Sequence, residues 1–420
     1  MRKTMDARFA VLMVFALMVA SCSPVAAPAP AAATATSAGV AAASPVPSAT
    51  PEPQVLTIHN PAGMRADGVY VDELLKKSMV EQKVTGPALA AEFPRSATER
   101  ITIKADASAE INDLFFKRGW GDGLPIVPPT EERVMAMLAG TDLAPDWVVG
   151  ELQPMGGQAT VAKIAVNAVM AGCRPEHMPI LIAAVEAIQD AGFDQLGIAT
   201  TTNPDTHMLI VSGPIVEQVG LNAGTSALGR GSRVNAPIGR AFHMLINNVG
   251  GAWPGVSDMT ALGHPGDFAM CLAENGERSP WTPLHMDLGH PKDASVVTVL
   301  GVTGMQNIIS IGMTNDEFLQ KVADLITAGD KRFKNLQLLI IPPDVAIEMA
   351  KAGYTKDIIK GAVAERVGDP AFKDKLLVLV SGGPGEKNML MPNWFNNTKP
   401  VSKAIRLPSN WAELLKNAEE

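Results

Sequence analysis

The sequence predicts an α/β fold: largely parallel sheets with helices on both faces, arranged in two lobes. Three observations predict it. The strand-like segments are continuous Val/Ile/Leu runs, as in Met208-Leu209-Ile210-Val211 and Leu376-Leu377-Val378-Leu379-Val380, which is the pattern of strands covered on both faces. Segments with apolar residues at helical spacing separate them. Finally, 420 residues with 47% hydrophobic and 19% charged side chains are too apolar for disorder and enough for one large domain or two ordinary ones.

Arg2, Lys3 and Arg8 precede an apolar run from Phe9 to Ala20, followed by Ser21 and Cys22. A basic start, a short hydrophobic core and small residues before a cleavage point make residues 1–21 an export signal, the core being too short to span a bilayer. Val19-Ala20-Ser21-Cys22 resembles a bacterial lipobox, which implies cleavage before Cys22 and a lipid on its thiol. Residues 22–54 follow as a tether. From Ser23 to Gln54 there are 12 Ala, 7 Pro and one charged residue, Glu52, with no periodic apolar face. The expected location is the cell envelope, lipid-anchored to a bacterial membrane and facing the periplasm or the exterior.

In the body, Asp72–Glu81 and Ile111–Lys117 read as helices and Arg100–Lys104 as a short strand. Thr130 caps a helix running to Ala139, with Glu131 and Glu132 in its first turn. Further helices are expected at Ala159–Ala171, Ile180–Ala191, Arg240–Asn248, Thr314–Ala328, Asp344–Ala352 and Lys356–Arg366. Strands are expected at Met208–Pro214, Ser295–Leu300, Leu336–Ile341 and Leu376–Val380. The division expected is an N-terminal region, 55–290, and a C-terminal region, 291–420. In the latter, Gly301-x-x-Gly304-x-x-Asn307 and Gly382-x-x-Gly385-x-x-Asn388 each follow a strand. Such turns present backbone N–H groups at the carboxyl ends of strands, where open α/β sheets bind ligands.

A net charge of −8 argues against nucleic acid as a partner, since no basic surplus exists to displace counterions. The partner expected is a small-molecule ligand, with membrane contact through the lipid alone and a homo-oligomer left open. The densest polar stretch runs from Asn203 to His290. Asn222, Asn235 and Arg240 lie in or beside a glycine-rich loop that suits an anionic or amide-bearing ligand, with Arg240 as a clamp. In Cys271-Leu272-Ala273-Glu274-Asn275, read as helical, Cys271 and Glu274 share a face. With His285 they make a thiol, acid and base set, and Asn275 orients the imidazole or an oxyanion. Cys173 follows Gly172 and precedes Arg174; convergence with Cys271 would make a disulfide or redox pair. His264, His285 and His290 crowd together with Asp258, Asp267 and Asp287, but without a His-x-x-x-His or Cys-x-x-Cys pair no metal is assigned. The cofactor is left unknown.

Gly123-Leu124-Pro125-Ile126-Val127-Pro128-Pro129-Thr130, Gly172-Cys173-Arg174-Pro175-Glu176 and Cys271-x-x-Glu274-Asn275 resemble a bacterial family associated with UGSC-type (seleno)proteins, from about Leu114 to Pro408. The resemblance implies a shared fold and polar pocket. The chain has no Cys-Gly-Ser-Cys or selenocysteine equivalent, so the redox role in that name does not transfer. The function expected is a lipid-anchored envelope enzyme acting on a small molecule through Cys271, Glu274 and His285, by hydrolytic or thiol-redox chemistry. The alternative is a non-catalytic solute-binding lipoprotein.

Overall fold

The computed structural model describes residues 53–328, 335–394 and 398–419. The signal segment, Cys22 and all but the last two residues of the tether lie outside the described residues. The strands are β1 (Gln54–His59), β2 (Thr98–Ile103), β3 (Val148–Leu152), β4 (Gly157–Thr160), β5 (Thr206–Ser212), β6 (Cys271–Ala273), β7 (Val296–Val302), β8 (Gln306–Ile309), β9 (Gln337–Ile341), β10 (Leu376–Val380), β11 (Lys387–Pro392) and β12 (Val401–Ala404). The helices are α1 (Val71–Glu81), α2 (Ala107–Arg118), α3 (Glu131–Leu138), α4 (Val161–Ala171), α5 (Met178–Ala187), α6 (Gln195–Thr200), α7 (Ile215–Gln218), α8 (Asn235–Asn248), α9 (Leu284–Asp287), α10 (Asn315–Ala328), α11 (Pro343–Lys351), α12 (Lys356–Val367) and α13 (Trp411–Glu419).

Two four-stranded sheets dominate, in the orders β12-β7-β5-β6 and β10-β9-β11-β8. Their packing follows from the parity of the strand residues, since successive side chains point to opposite faces. In the first sheet Leu209, Val211, Val297 and Val299 join the core formed with α4, α5 and α8. The alternate residues Met208, Ile210, Leu300 and Val302 meet Leu338, Ile340, Leu377 and Leu379 of the second sheet. The opposite face of that sheet, with Leu339, Ile341, Val378 and Val380, carries α10, α11 and α12. The body is therefore layered helix, sheet, sheet, helix.

This arrangement corrects two expectations. The fold is mixed α/β, but the sheets are small and mixed: β5/β6 and β9/β10 run parallel, whereas β5/β7, β7/β12, β9/β11 and β8/β11 run antiparallel. Continuous apolar runs report burial on both faces, and here a second sheet supplies the second cover, so the runs do not require parallel pairing. Nor is the first sheet confined to one of the two expected regions: it takes β5 and β6 from before residue 290 and β7 and β12 from after it. The described residues form one compact unit. Among the described residues no helix is long and apolar enough to cross a membrane.

Candidate functional site

A cleft of about 820 Å³ lies between the loop after α2 and the segment after α8. Helix α2 ends at Gly119, whose backbone is left-handed (φ 68°) and donates to Phe116 O, while Trp120 N donates to Phe115 O. That glycine cap turns the chain into Gly119–Gly123. A β-carbon at Gly119 would lie 2.9 Å from the Trp253 ring, so the bare backbone lets the opposite wall close in. The loop is clamped to α8. Arg240 donates to both Asp122 carboxylate oxygens (2.7 and 2.9 Å) and to the carbonyls of Leu124 and Pro125. Gly121 N donates to the Asn248 side chain.

The facing wall is a run of tight turns. Trp253 O accepts from Val256 N and Asp258 N, and the Asp258 carboxylate accepts from Thr260 N and the Thr260 hydroxyl. Ala261 N donates to Thr202 O, which fastens this wall to the segment entering β5. At His264–Phe268, His264 N donates to an Asp267 carboxylate oxygen and Gly266 N donates to His264 Nδ1 (2.9 Å). Because Nδ1 accepts, the neutral ring carries its proton on Nε2 and is a hydrogen-bond donor. Burial lowers the His264 pKa, opposed by Asp267.

Trp120, Trp253, Phe116 and Phe268 supply aromatic surface to the cleft, while Asp122, Asp258 and Asp267 supply carboxylates; no Lys or Arg lines it. Phe116 and Leu262 are 62% and 93% exposed. The Trp120 indole N–H is buried without a hydrogen-bond partner. Behind the wall, Asp205 is 5% exposed, and neither of its carboxyl oxygens accepts a hydrogen bond of good geometry. Burial pushes this carboxyl up to about 8; the Asn203 amide pulls against that, and the negative charges of Asp267 and Asp194 add to the rise. His243 bridges Thr206 Oγ1 and Gly239 O (3.0 and 2.9 Å). A carbonyl only accepts, so Nδ1 carries the proton and Nε2 accepts from Thr206.

The residues expected to be catalytic sit elsewhere. Cys271 is on a strand, not a helix, so Cys271 and Glu274, three apart, fall on opposite faces. Cys271 packs in the same core as Cys173 and the α4, α5 and α8 helices, while Glu274 reaches Leu284, which packs with Leu272 on the other face. Both thiols are free and buried; burial pushes the Cys271 thiol up to about 12 and the Cys173 thiol higher still. Burial of this kind opposes the thiolate form that a nucleophile needs. The structure does bring Glu274 and His285 together, both buried. Both Glu274 oxygens accept from Leu284 N (2.8 and 3.0 Å), so the carboxylate closes the first turn of α9. Burial raises the Glu274 carboxyl. His285 Nε2 lies 3.3 Å from Lys292 O.

The expected ligand-binding amides make hydrogen bonds within the protein. Asn235 accepts from Asn222 N and the Ser232 hydroxyl and donates to Asn222 O, Ala227 O and Cys271 O. Asn222 accepts from Gly224 N and donates to Thr225 O, and Asn275 donates to Ala223 O and accepts from Arg278 N. Arg240 is consumed by Asp122. His290 bonds Ser402 and Asp287 bonds Lys356, away from His264 and Asp267. Among the described residues no group of three or more His, Cys, Asp or Glu side chains is placed to hold a metal ion.

Comparison of the sequence with protein-family models finds no match, and comparison with curated proteins finds none either. Sequence reasoning passed over Trp120, Trp253 and Asp205. For Trp120 the available signal was Gly119-Trp120-Gly121-Asp122-Gly123, three glycines around an aromatic and an acid.

Proposed function

We propose that the protein is a lipid-anchored envelope receptor whose body takes up a small amine- or ammonium-bearing molecule in the Trp120/Trp253 cleft. One observation carries this reading: a large cleft that combines aromatic side chains with the Asp258 and Asp267 carboxylates and has no Lys or Arg in its lining. Aromatic faces and carboxylates attract cations, and the low-dielectric surroundings strengthen that attraction. The His264 Nε2–H supplies a donor for a neutral polar part of the ligand.

The full chain titrated with tetramethylammonium and a series of alkyl diamines should show saturable quenching of tryptophan fluorescence. Asp267→Asn should weaken it about tenfold or more, the loss of one charge-assisted contact. Equal binding of alkyl carboxylates, or no dependence on Asp267, would sink the proposal. A second reading, an acid–base enzyme, rests on the Asp267 charge adding to the rise of the buried Asp205 carboxyl, since carboxyls pushed apart in this way divide acid and base roles. It predicts conversion of the bound amine, with Asp205→Asn abolishing turnover while the fluorescence titration persists.

A further inference from the structure

A second cavity, of about 330 Å³, opens where the two sheets end together. Its apolar floor is the mouth of the sheet interface, with Leu272 from β6, Ile340 from β9 and Met389 from β11. Its rim is made by Thr225–Gly229 of the glycine-rich loop and Ser381–Gly385, the turn after β10. Gly382 N donating to Ala223 O ties the loop to the turn, while Asn275 N donating to Val380 O and the Ser381 hydroxyl donating to Ala273 O join the ends of β6 and β10. A β-carbon on Gly383 would lie 2.2 Å from Thr225 Oγ1, so only glycine permits this approach. The cavity thus lies at the carboxyl ends of β6, β9 and β10, members of the two parallel pairs, where α/β sheets present ligand sites.

Its chemistry is opposite to that of the cleft. No carboxylate lines it; Lys387 does, with the hydroxyls of Thr225 and Ser226. None of these three side-chain groups has a hydrogen-bond or ion-pair partner among the described residues, and Gly383 N is likewise unpaired. Pro342, which caps the nine-residue helix α11, completes the wall. Asp344 in the first turn of α11 brings a negative charge to this region, but it is paired with Arg278 (2.7 Å) and accepts from Gly385 N.

We propose that this cavity binds a phosphate group, carried by a small ester whose apolar remainder rests on Leu272, Ile340 and Met389. Lys387 supplies the countercharge, Thr225, Ser226 and Gly383 N the donors, and the absence of a lining carboxylate removes the usual repulsion. The inference is independent of the amine reading.

The test is calorimetric titration of the full chain with inorganic phosphate, with chloride as control, repeated for Lys387→Gln and Thr225→Val. Saturable phosphate binding, about tenfold weaker in Lys387→Gln and weakened in Thr225→Val, is expected. Retention of tryptophan quenching by the amine probes, or failing that an unchanged unfolding transition, shows that the variants fold. Competition by glycerol phosphate identifies a soluble ester, and competition by phosphatidylglycerol vesicles a lipid headgroup; either carries the phosphate chemistry. No saturable heat with phosphate, or heat unchanged in both variants, would overturn it.

Discussion

Asp205→Asn should flatten the pH dependence of stability and make the folded chain more stable than wild type at mildly alkaline pH. The carboxyl rises on folding from 3.8 to about 8, with burial as the main cause. The folded state therefore holds this proton over a range where the unfolded chain has released it. The contribution is fully present below 3.8 and is lost as pH climbs through about 8. By linkage, wild type loses roughly 4 kcal/mol from this group between about pH 5 and pH 8. Asparagine keeps the shape and cannot ionise, so urea denaturation across that range should show the loss in wild type and not in the variant. Parallel curves would mean that Asp205 is hydrated and ordinary.

Arg240→Ala should cost about 3 kcal/mol, because it strands the Asp122 carboxylate in a largely enclosed site. The Asp122 and Arg240 side chains are 7% and 17% exposed. Arg240→Lys should not restore the loss, since one ammonium cannot reproduce the fork that serves both carboxylate oxygens and two carbonyls. Because Asp122 and Gly123 belong to the cleft wall, amine binding should weaken alongside stability. The clamp role read from sequence makes the opposite forecast: ligand affinity lost with the unfolding midpoint unchanged.

The apolar segments were legible because burial writes itself into composition. Leu376–Val380 is a strand with the boundaries expected, and the helices at 71–81, 161–171 and 356–367 fall within two residues of expectation at each end. The layering was not legible. A strand buried by a second sheet and one buried by a helix carry the same Val/Ile/Leu run, so β7 looks identical in a parallel or an antiparallel sheet. The three residues Cys271–Ala273 are too short for periodicity to separate strand from helix. The polar residues of the glycine-rich loop were ambiguous for a related reason. Asn222, Asn235, Asn275 and Arg240 are the polar residues a ligand would want, and they are also what folding a glycine-rich loop requires. The cleft instead comes from Trp120, Trp253 and Asp267, brought together across more than a hundred residues by the Arg240–Asp122 clamp.

The most direct measurement is hydrogen exchange of the full chain with and without saturating tetramethylammonium. The cleft predicts slowed exchange at residues 119–123 and 253–268, with residues 271–285 unchanged. Protection confined to 271–285 would place the ligand at Cys271, Glu274 and His285 and contradict the account.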